Sequence, residues 1–556
     1  MLRLQGRKVE KIEMTSRPIR GARTNLARIA DSQRLMVHGQ DVAWVLDKWA
    51  ERTPDKTFLV WEPFEGSPSS WTYKEMRDDA DRFAAALLER GISQGDKLLL
   101  HMENCPEFMI VLFACARIGA VAVTTNTRSV ERDIEYYVEK AEITAAITQP
   151  AFAPLISETA PDLAFVIVTK DDSGKERPDF STSGYVPFDS CLSPGAKPPA
   201  RTPDASADFL IQFTSGTTSR PKPVVLTHGN FIWGAQMNAR NFSVTSDDAA
   251  LVFSPLFHIN AVSYSTMTTL WSGGTIILQP RLSVSRFWEV SIRNKCTWTF
   301  VIPFLIYPLM QREAPDGHHY KFWMVGGYST AICNKFGIRV VCAWGMTETI
   351  TQGIVTDPHQ PPPEGSIGRA APCYDIEIRD DDGNPVGPGG RGNLFARGVP
   401  GVSLFKEYFN DPDATSNAVD EGGWMDTGDM ISIDEEGYLY FLGRDKDMLK
   451  VGAENVAASE IETVIMKTGV VEECAVVGRK HYMFDEVPVA FVIPKEGDKN
   501  DIESSIIAAC KRDLADFKVV REIIFVEDFP RATLDKIVKT KLREELIPIE
   551  PHNDYK

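Results

Sequence analysis

The chain lacks most of the features that would set it apart from an ordinary globular protein. Nine cysteines are spread through 556 residues, and none forms a CxxC pair. Their odd number and irregular spacing exclude a disulfide framework and point to reduced thiols. Nine histidines include no HExxH or similar metal-binding cluster. No apolar run approaches the ~18–20 residues that a membrane-spanning helix needs, so no transmembrane segment is expected. Basic residues are in deficit: 60 Lys and Arg stand against 77 Asp and Glu, for a net charge of −17. Such a surface repels a polyanionic duplex, so no nucleic-acid partner is expected. It does not exclude an anionic ligand, which a local nest of backbone N–H groups can hold against the global field.

Composition is otherwise that of a globular protein, with 43% hydrophobic and 25% charged residues. Five hundred and fifty-six residues exceed what one core organises, so more than one domain is expected. Residues 1–30 stand apart, with eight basic side chains from Arg3 to Arg28 against only Glu10 and Glu13. They read as a basic flexible extension, as an organelle transit peptide, or as sequence upstream of a start at Met14. The placement expected is cytoplasmic, with a mitochondrial or other organellar one as the alternative.

From about residue 40 the chain alternates apolar strands with amphipathic helices. Met76, Ala80, Phe83, Ala84 and Leu87 recur at helical spacing over 71–90, and Gly91 ends the pattern. Residues 96–103 read as a strand, and 105–123 as a helix, a glycine and a strand. This is α/β grammar with a largely parallel sheet. Residues 170–206, rich in Asp, Ser, Pro and Gly, read as a surface connection. Beyond a hairpin arm at 434–443, strands at 472–478 and 488–493, a helix at 501–515 and a strand at 522–526 form a compact α+β unit of ordinary domain size. The expected organisation is the 1–30 extension, a large domain over 31–445 and a small one over 446–550.

One segment carries a chemical signal by itself. The apolar strand ADFLIQF leads into Thr214, Ser215, Gly216, Thr217, Thr218 and Ser219, followed by Lys222. Small side chains let backbone N–H groups approach a polyphosphate, hydroxyls add donors, and Lys222 supplies positive charge. It is not the GxxxxGK[ST] loop. A hydroxyl-rich string alone would be read as a polar surface loop, but further motifs accompany it in order. They are Trp344-Gly345-Met346-Thr347-Glu348-Thr349, Asp426-Thr427-Gly428-Asp429, the stretch from Gly443 through Lys450 to Val456, and Pro530-Arg531-Ala532-Thr533-Leu534-Asp535-Lys536-Ile537.

Together these resemble the signatures of the adenylate-forming superfamily, over about residues 40–545. SIGR (366–369), IEIRDDDGNP (376–385) and FKEYFNDPDAT (405–415) lean toward its crotonobetaine/carnitine-CoA ligase branch. The resemblance implies a large multi-subdomain α/β domain with a small mobile α+β domain. It implies an ATP-dependent carboxylic acid:CoA ligase that makes an acyl-adenylate and then a thioester, using ATP, Mg²⁺ and CoA on a small carboxylic acid. Transfer to a carrier protein, or a catalytically weakened relative, are the alternatives.

By the same resemblance, residues 214–219 and Lys222 hold the phosphates, and Glu348 ligates Mg²⁺. Thr347 bonds the α-phosphate, Trp344 lies on the adenine, and Asp429 and Arg444 meet the ribose. Lys536 bridges the substrate carboxylate and the α-phosphate. Lys446 is the hinge, Lys450 and Asn455 lie near the adenylate, and Gly452 flanks the pantetheine tunnel. His258 falls at a gate between that tunnel and the acyl pocket. Trp233, with Asn260, Ala261, Val262 and Ile302, is a candidate for acyl specificity, its ring offering a face to a trimethylammonium group.

The chain also departs from the family's pattern. Ser219, Pro223 and Ala453 replace common glycines, and Asp535 replaces the glycine before Lys536. A carboxylate there raises the lysine's pKa or draws it from the phosphates. Between Gly327 and Phe336 the family carries about six more residues, roughly one and a half helical turns. That shortening borders the adenine and acyl pockets, so reduced activity and an incomplete gene reading are both open.

Overall fold

The structure is a computed structural model. It describes residues 32–170, 184–214, 221–301, 303–357, 359–444, 448–451, 454–481, 484–514, 516–531 and 537–548, and every count below refers to these. The expected basic extension therefore lies outside the described residues.

The helix read at 71–90 spans Tyr73–Glu89. Thr72 and Glu75 close a reciprocal capping box at its start, satisfying two orphan N–H groups. Met76, Ala80, Phe83, Ala84 and Leu87 are all fully buried, as their spacing requires. The next unit resolves into helix Pro106–Ile118, Gly119 at φ 74° and strand Val121–Thr124. Gly119 is the left-handed residue that lets the helix end and the strand begin at once.

Two large sheets organise the chain up to Arg444. An eight-stranded sheet contains, in spatial order, Glu407–Tyr408, Lys222–Thr227, Asp208–Thr214, Val121–Thr124, Lys97–His101, Ile143–Thr148, Val166–Val168 and Val186–Pro187. A nine-stranded sheet contains Arg369–Ala370, Ile354–Val355, Arg339–Trp344, Phe322–Val325, Trp298–Phe300, Ala249–Val252, Thr275–Leu278, Thr57–Trp61 and Ser69–Thr72. Their central pairings are parallel. Val121–Thr124 and Phe322–Val325 are buried at every position, the mark of strands covered on both faces.

Asn104 ties the carboxyl ends of the two sheets together. It follows strand Lys97–His101, donates to Ser254 O at 3.0 Å and Gln279 O at 3.1 Å, and accepts from the Leu256 N–H at 2.7 Å. Crevices at strand carboxyl ends are where open α/β sheets bind ligands.

A four-stranded antiparallel sheet follows, in the order Asp375–Arg379, Arg391–Arg397, Trp424–Ile433 and Leu439–Arg444. Its last two strands are the hairpin read at 434–443. The final sheet contains Glu454–Ala457, Met448–Val451, Asp485–Pro494 and Val471–His481, with Glu522–Phe525 added in parallel to Asp485–Pro494. Helices Ala458–Lys467 and Lys499–Asp513 pack on it around Ile461, Val476, Ile502 and Ile506. This matches the expected strand, strand, helix and strand order.

The short 328–335 stretch is bridged by a seven-residue helix, Thr330–Phe336, ending on Gly337 at φ 65°. The sheet continues unbroken from Phe322–Val325 to Arg339–Trp344.

Candidate active site

The segment expected to hold phosphates starts from a β-hairpin. Strand Asp208–Thr214 pairs antiparallel with Lys222–Thr227, with Thr214 opposite Lys222. The second strand was not anticipated from the sequence; the first was. Ser215, Gly216, Thr217, Thr218 and Ser219 lie outside the described residues. Pro223 pairs with Phe213, and its carbonyl accepts from the Phe409 N–H at 2.8 Å.

Lys222 and Tyr408 meet because of sheet register. Tyr408 pairs with Val224, two residues from Lys222 and therefore on the same face. The Lys222 ammonium lies 4.7 Å over the centre of the Tyr408 ring, a cation–π contact.

Thr347 and Glu348 occupy a tight turn, Thr347–Thr349, directly after strand Arg339–Trp344. Gly345 is required there: a Cβ would fall 2.7 Å from Thr351 O and 2.8 Å from the Tyr264 hydroxyl. Ile350 closes the turn at φ 55°, an outlier for a β-branched residue. Three contacts hold its neighbourhood: Ser263 Oγ donates to Ile350 O at 2.9 Å, and the Tyr374 hydroxyl proton lies between Thr349 O and Ser403 O, the latter at 2.7 Å.

Glu348 is buried, 5% exposed, and its Oε1 accepts from the Tyr408 hydroxyl at 3.0 Å. The Phe405 N–H donates to Glu348 O at 2.7 Å. Burial, then the Glu348 charge, push the Tyr408 phenol well above its ordinary value, so it remains a donor.

The residues expected to meet the nucleoside are held differently. Trp344 ends its strand and packs with Ile354, Ile367, Ile378, Leu394, Ile431 and Leu439. Its indole N–H donates to Asp429 Oδ2 at 2.8 Å. Asp429 is 2% exposed, lies on strand Trp424–Ile433 and stands opposite Arg444 in the hairpin. The structure thus joins two residues that the motifs read separately.

Along the chain, His258 lies between strand Ala249–Val252 and the π-helical stretch Asn260–Met267, a form often found at functional sites. Its Nε2 is buried and finds no partner among the described residues, and burial holds its pKa down at about 4. Trp233, on helix His228–Phe242, is 1% exposed and meets Tyr374 edge to face at 5.3 Å. Its ring is packed into the core rather than open.

Lys450 and Asn455 pair across strands Met448–Val451 and Glu454–Ala457. Lys446, Gly452, Asp535 and Lys536 lie outside the described residues. The residue that sequence reasoning passed over is Tyr408. It sat inside a quoted motif, but nothing in its sequence neighbourhood points to Glu348, 60 positions away.

Comparison with known proteins decides the family. The AMP-binding enzyme family matches residues 46–409, and the AMP-binding enzyme C-terminal domain matches residues 460–536. The chain belongs to the AMP-binding enzyme family. Crotonobetaine/carnitine–CoA ligase from Salmonella choleraesuis (strain SC-B67) is 33% identical over 519 residues, covering 91% of this chain and all of that one. The protein of the same name from Escherichia coli O139:H28 is 33% identical over 529 residues, with the same coverage. The crystal structure of ATP-bound MatB from Rhodopseudomonas palustris superposes with a TM-score of 0.80 at 26% identity, covering 91% of this chain and 99% of that one.

The family assignment confirms the expected adenylate-forming fold and makes the chain an AMP-forming acid–thiol ligase. ATP and CoA are the family's substrates, and the chemistry is adenylation of a carboxylic acid followed by thioester formation. Among the described residues no helix is long and apolar enough to cross a membrane.

Proposed function

We propose that this acyl-CoA ligase activates a small, carnitine-like carboxylic acid, with adenylation supported by Lys222, Glu348, Thr347, Trp344, Asp429 and Lys536. The observation that carries the residue assignment is the meeting of Lys222, Tyr408 and Glu348 at one end and Trp344 with Asp429 at the other. A cation and a carboxylate at one end suit a metal-bound polyphosphate. A buried carboxylate at the other suits a vicinal diol, whose two hydroxyls can donate to it.

Adenylation brings two anions together, so cationic charge aimed at the phosphates supplies most of the rate. Lys222 serves the β- and γ-phosphates with residues 214–219. Thr347 donates to the α-phosphate, and Trp344 and Asp429, with Arg444, orient the nucleoside. Lys536 neutralises charge between the carboxylate and the α-phosphate as the C–O–P linkage forms and pyrophosphate leaves.

Mg²⁺ fits this donor set. Among the described residues no three His, Cys, Asp or Glu side chains gather to cage a metal. One buried carboxylate plus phosphate oxygens is how Mg²⁺ is commonly bound, and Glu348 would hold it. When bound it neutralises phosphate charge. The structure of O-succinylbenzoate CoA synthetase from Bacillus subtilis with ATP and magnesium ion, 25% identical at a TM-score of 0.76 over 90% of this chain and 98% of that one, supports this reading.

The large domain over 31–445 keeps the nucleotide, and the small domain over 446–550 turns about Lys446 between half-reactions. It then brings Gly452 beside the pantetheine path, with Lys450 and Asn455 near the adenylate and His258 at the gate. Nine free cysteines support a reducing, cytoplasmic setting.

The test is acid-dependent pyrophosphate release over betaine-like, short-chain, aromatic and long-chain acids, with and without CoA. The expected result is release with a short betaine-like acid and thioester only when CoA is present. A preference for aromatic or long-chain acids overturns the substrate assignment. An acyl-adenylate that free CoA cannot discharge overturns the role in thioester formation.

A further inference from the structure

We propose that Tyr408 is a positioning residue for adenylation: its hydroxyl holds Glu348, and its ring carries Lys222. The inference rests on the roles proposed above for Glu348 and Lys222.

Three features of the fold converge on it. Tyr408 lies in the short edge strand Glu407–Tyr408, paired antiparallel with the strand that begins at Lys222. Because side chains alternate along a strand, the Tyr408–Val224 pairing puts Lys222 and the tyrosine on one face. The ammonium then rests 4.7 Å over the ring. At the opposite end of the same side chain, the hydroxyl donates to Glu348 Oε1 at 3.0 Å. The segment is clipped to the glutamate a second time through the backbone, Phe405 N–H to Glu348 O at 2.7 Å.

One rigid side chain therefore spans from the phosphate-loop cation to the buried carboxylate. Lys222 and Glu348 carry opposite charges and meet the same tyrosine at different places, the cation at its ring face and the carboxylate at its hydroxyl. A lysine and a glutamate that closed on each other would neutralise the two charges that a metal-bound polyphosphate needs separately. Tyrosine meets both demands: a π face for the cation and a donor for the anion, on a frame with only two side-chain torsions. It is also packed, with its ring 4.7 Å from that of Phe405 and its N–H on Thr415 Oγ1 at 3.0 Å.

Tyr408→Phe separates the two functions, since it keeps the ring and removes only the hydroxyl. The half-saturating Mg²⁺ concentration for pyrophosphate release should rise about ten- to a hundredfold, the scale of one hydrogen bond to a charged group. Thioester formation from supplied acyl-adenylate should stay unchanged. Tyr408→Leu, which also removes the ring, should in addition raise KM for ATP, because Lys222 is then free to close on Glu348. A merely structural tyrosine would lower both half-reactions together and leave the Mg²⁺ dependence alone, and that result overturns the inference.

Glu348→Gln keeps this test separate from the metal assignment. If Glu348→Gln alone leaves the Mg²⁺ dependence unchanged, Glu348 is not the metal ligand and that reading fails. The positioning role is judged independently by adding Tyr408→Phe to Glu348→Gln. The tyrosine substitution should then cost little further adenylation rate, because the carboxylate charge it positions is gone even though the amide oxygen can still accept from its hydroxyl. An undiminished loss in that background overturns the role of Tyr408, whatever becomes of the metal.

Discussion

The two ends of the proposed site solve different problems with different materials. At the nucleoside end, Trp344 and Asp429 sit on regular strands, joined by one hydrogen bond and surrounded by aliphatic side chains. At the phosphate end, Glu348 sits in a tight turn closed by Ile350 at φ 55°, and Lys222 depends on the ring of a third element. In the proposed assignment the first end orients a neutral, flat group, for which rigid apolar surroundings suffice. The second must keep opposite charges in place without letting them cancel. Strain of about 1–3 kcal/mol at a residue such as Ile350 persists only where surrounding contacts over-determine it. Here Ser263 and Tyr374 supply them.

Substitutions can break or sharpen this contrast. The largest effect is expected at the charge-handling end. Lys536→Ala should cut acid-dependent pyrophosphate release by roughly 10²–10³-fold, the scale of one lost preorganised electrostatic contact. Thioester formation from supplied acyl-adenylate should be nearly unchanged, and equal losses in the two half-reactions would remove Lys536 from its proposed role. Asp535→Gly, which deletes a competing carboxylate, should raise the adenylation rate instead.

The hinge comes next. Lys446→Pro fixes φ near about −65°, so it should preserve one half-reaction and impair the other. Lys446→Ala should be mild. Parallel losses in a folded Lys446→Pro protein would move the hinge elsewhere.

At the nucleoside end the expected effect is smaller and of another kind. Asp429→Asn retains an acceptor for the Trp344 indole but loses the charge that receives the ribose hydroxyls. KM for ATP should rise by about tenfold or more, with the Mg²⁺ dependence unmoved. A shift in Mg²⁺ dependence would erase the distinction between the two ends.

The smallest effect lies outside both. His101 is fully buried, with Nδ1 on Thr125 Oγ1 at 2.9 Å, and burial holds its pKa down from 6.5 to about 4. Over that window the unfolded chain binds the extra proton, so stability is lost as pH falls from about 6.5 toward 4 and does not fall further on this account below it. His101→Asn should remove this share of the slope of Tm against pH, while adenylation kinetics at neutral pH stay the same. An unchanged slope would mean that the ring is not neutral in the folded protein.

Some of this was fixed by sequence alone, because it depends on neighbours along the chain. The Tyr73–Glu89 helix follows from a 3.6-residue apolar period and a Thr72–Glu75 cap that lie within a few residues of each other. The order of the motifs, the family they mark and the succession of elements in the last hundred residues are local in the same sense. Gly345 belongs to its motif in sequence, but the reason for it, Thr351 O and the Tyr264 hydroxyl within 3 Å of any Cβ, appears only in space. Trp344 with Asp429, 85 positions apart, and Tyr408 with Glu348, 60 apart, are products of packing between different sheets and turns. Trp233 shows the converse: an aromatic residue whose sequence suggested an open face is closed against Tyr374 in the core. Periodicity and motif spacing specify which elements form, since both act through adjacent residues. Which side chains share a charge or a hydrogen bond is decided by sheet register and by the burial that makes such a bond necessary.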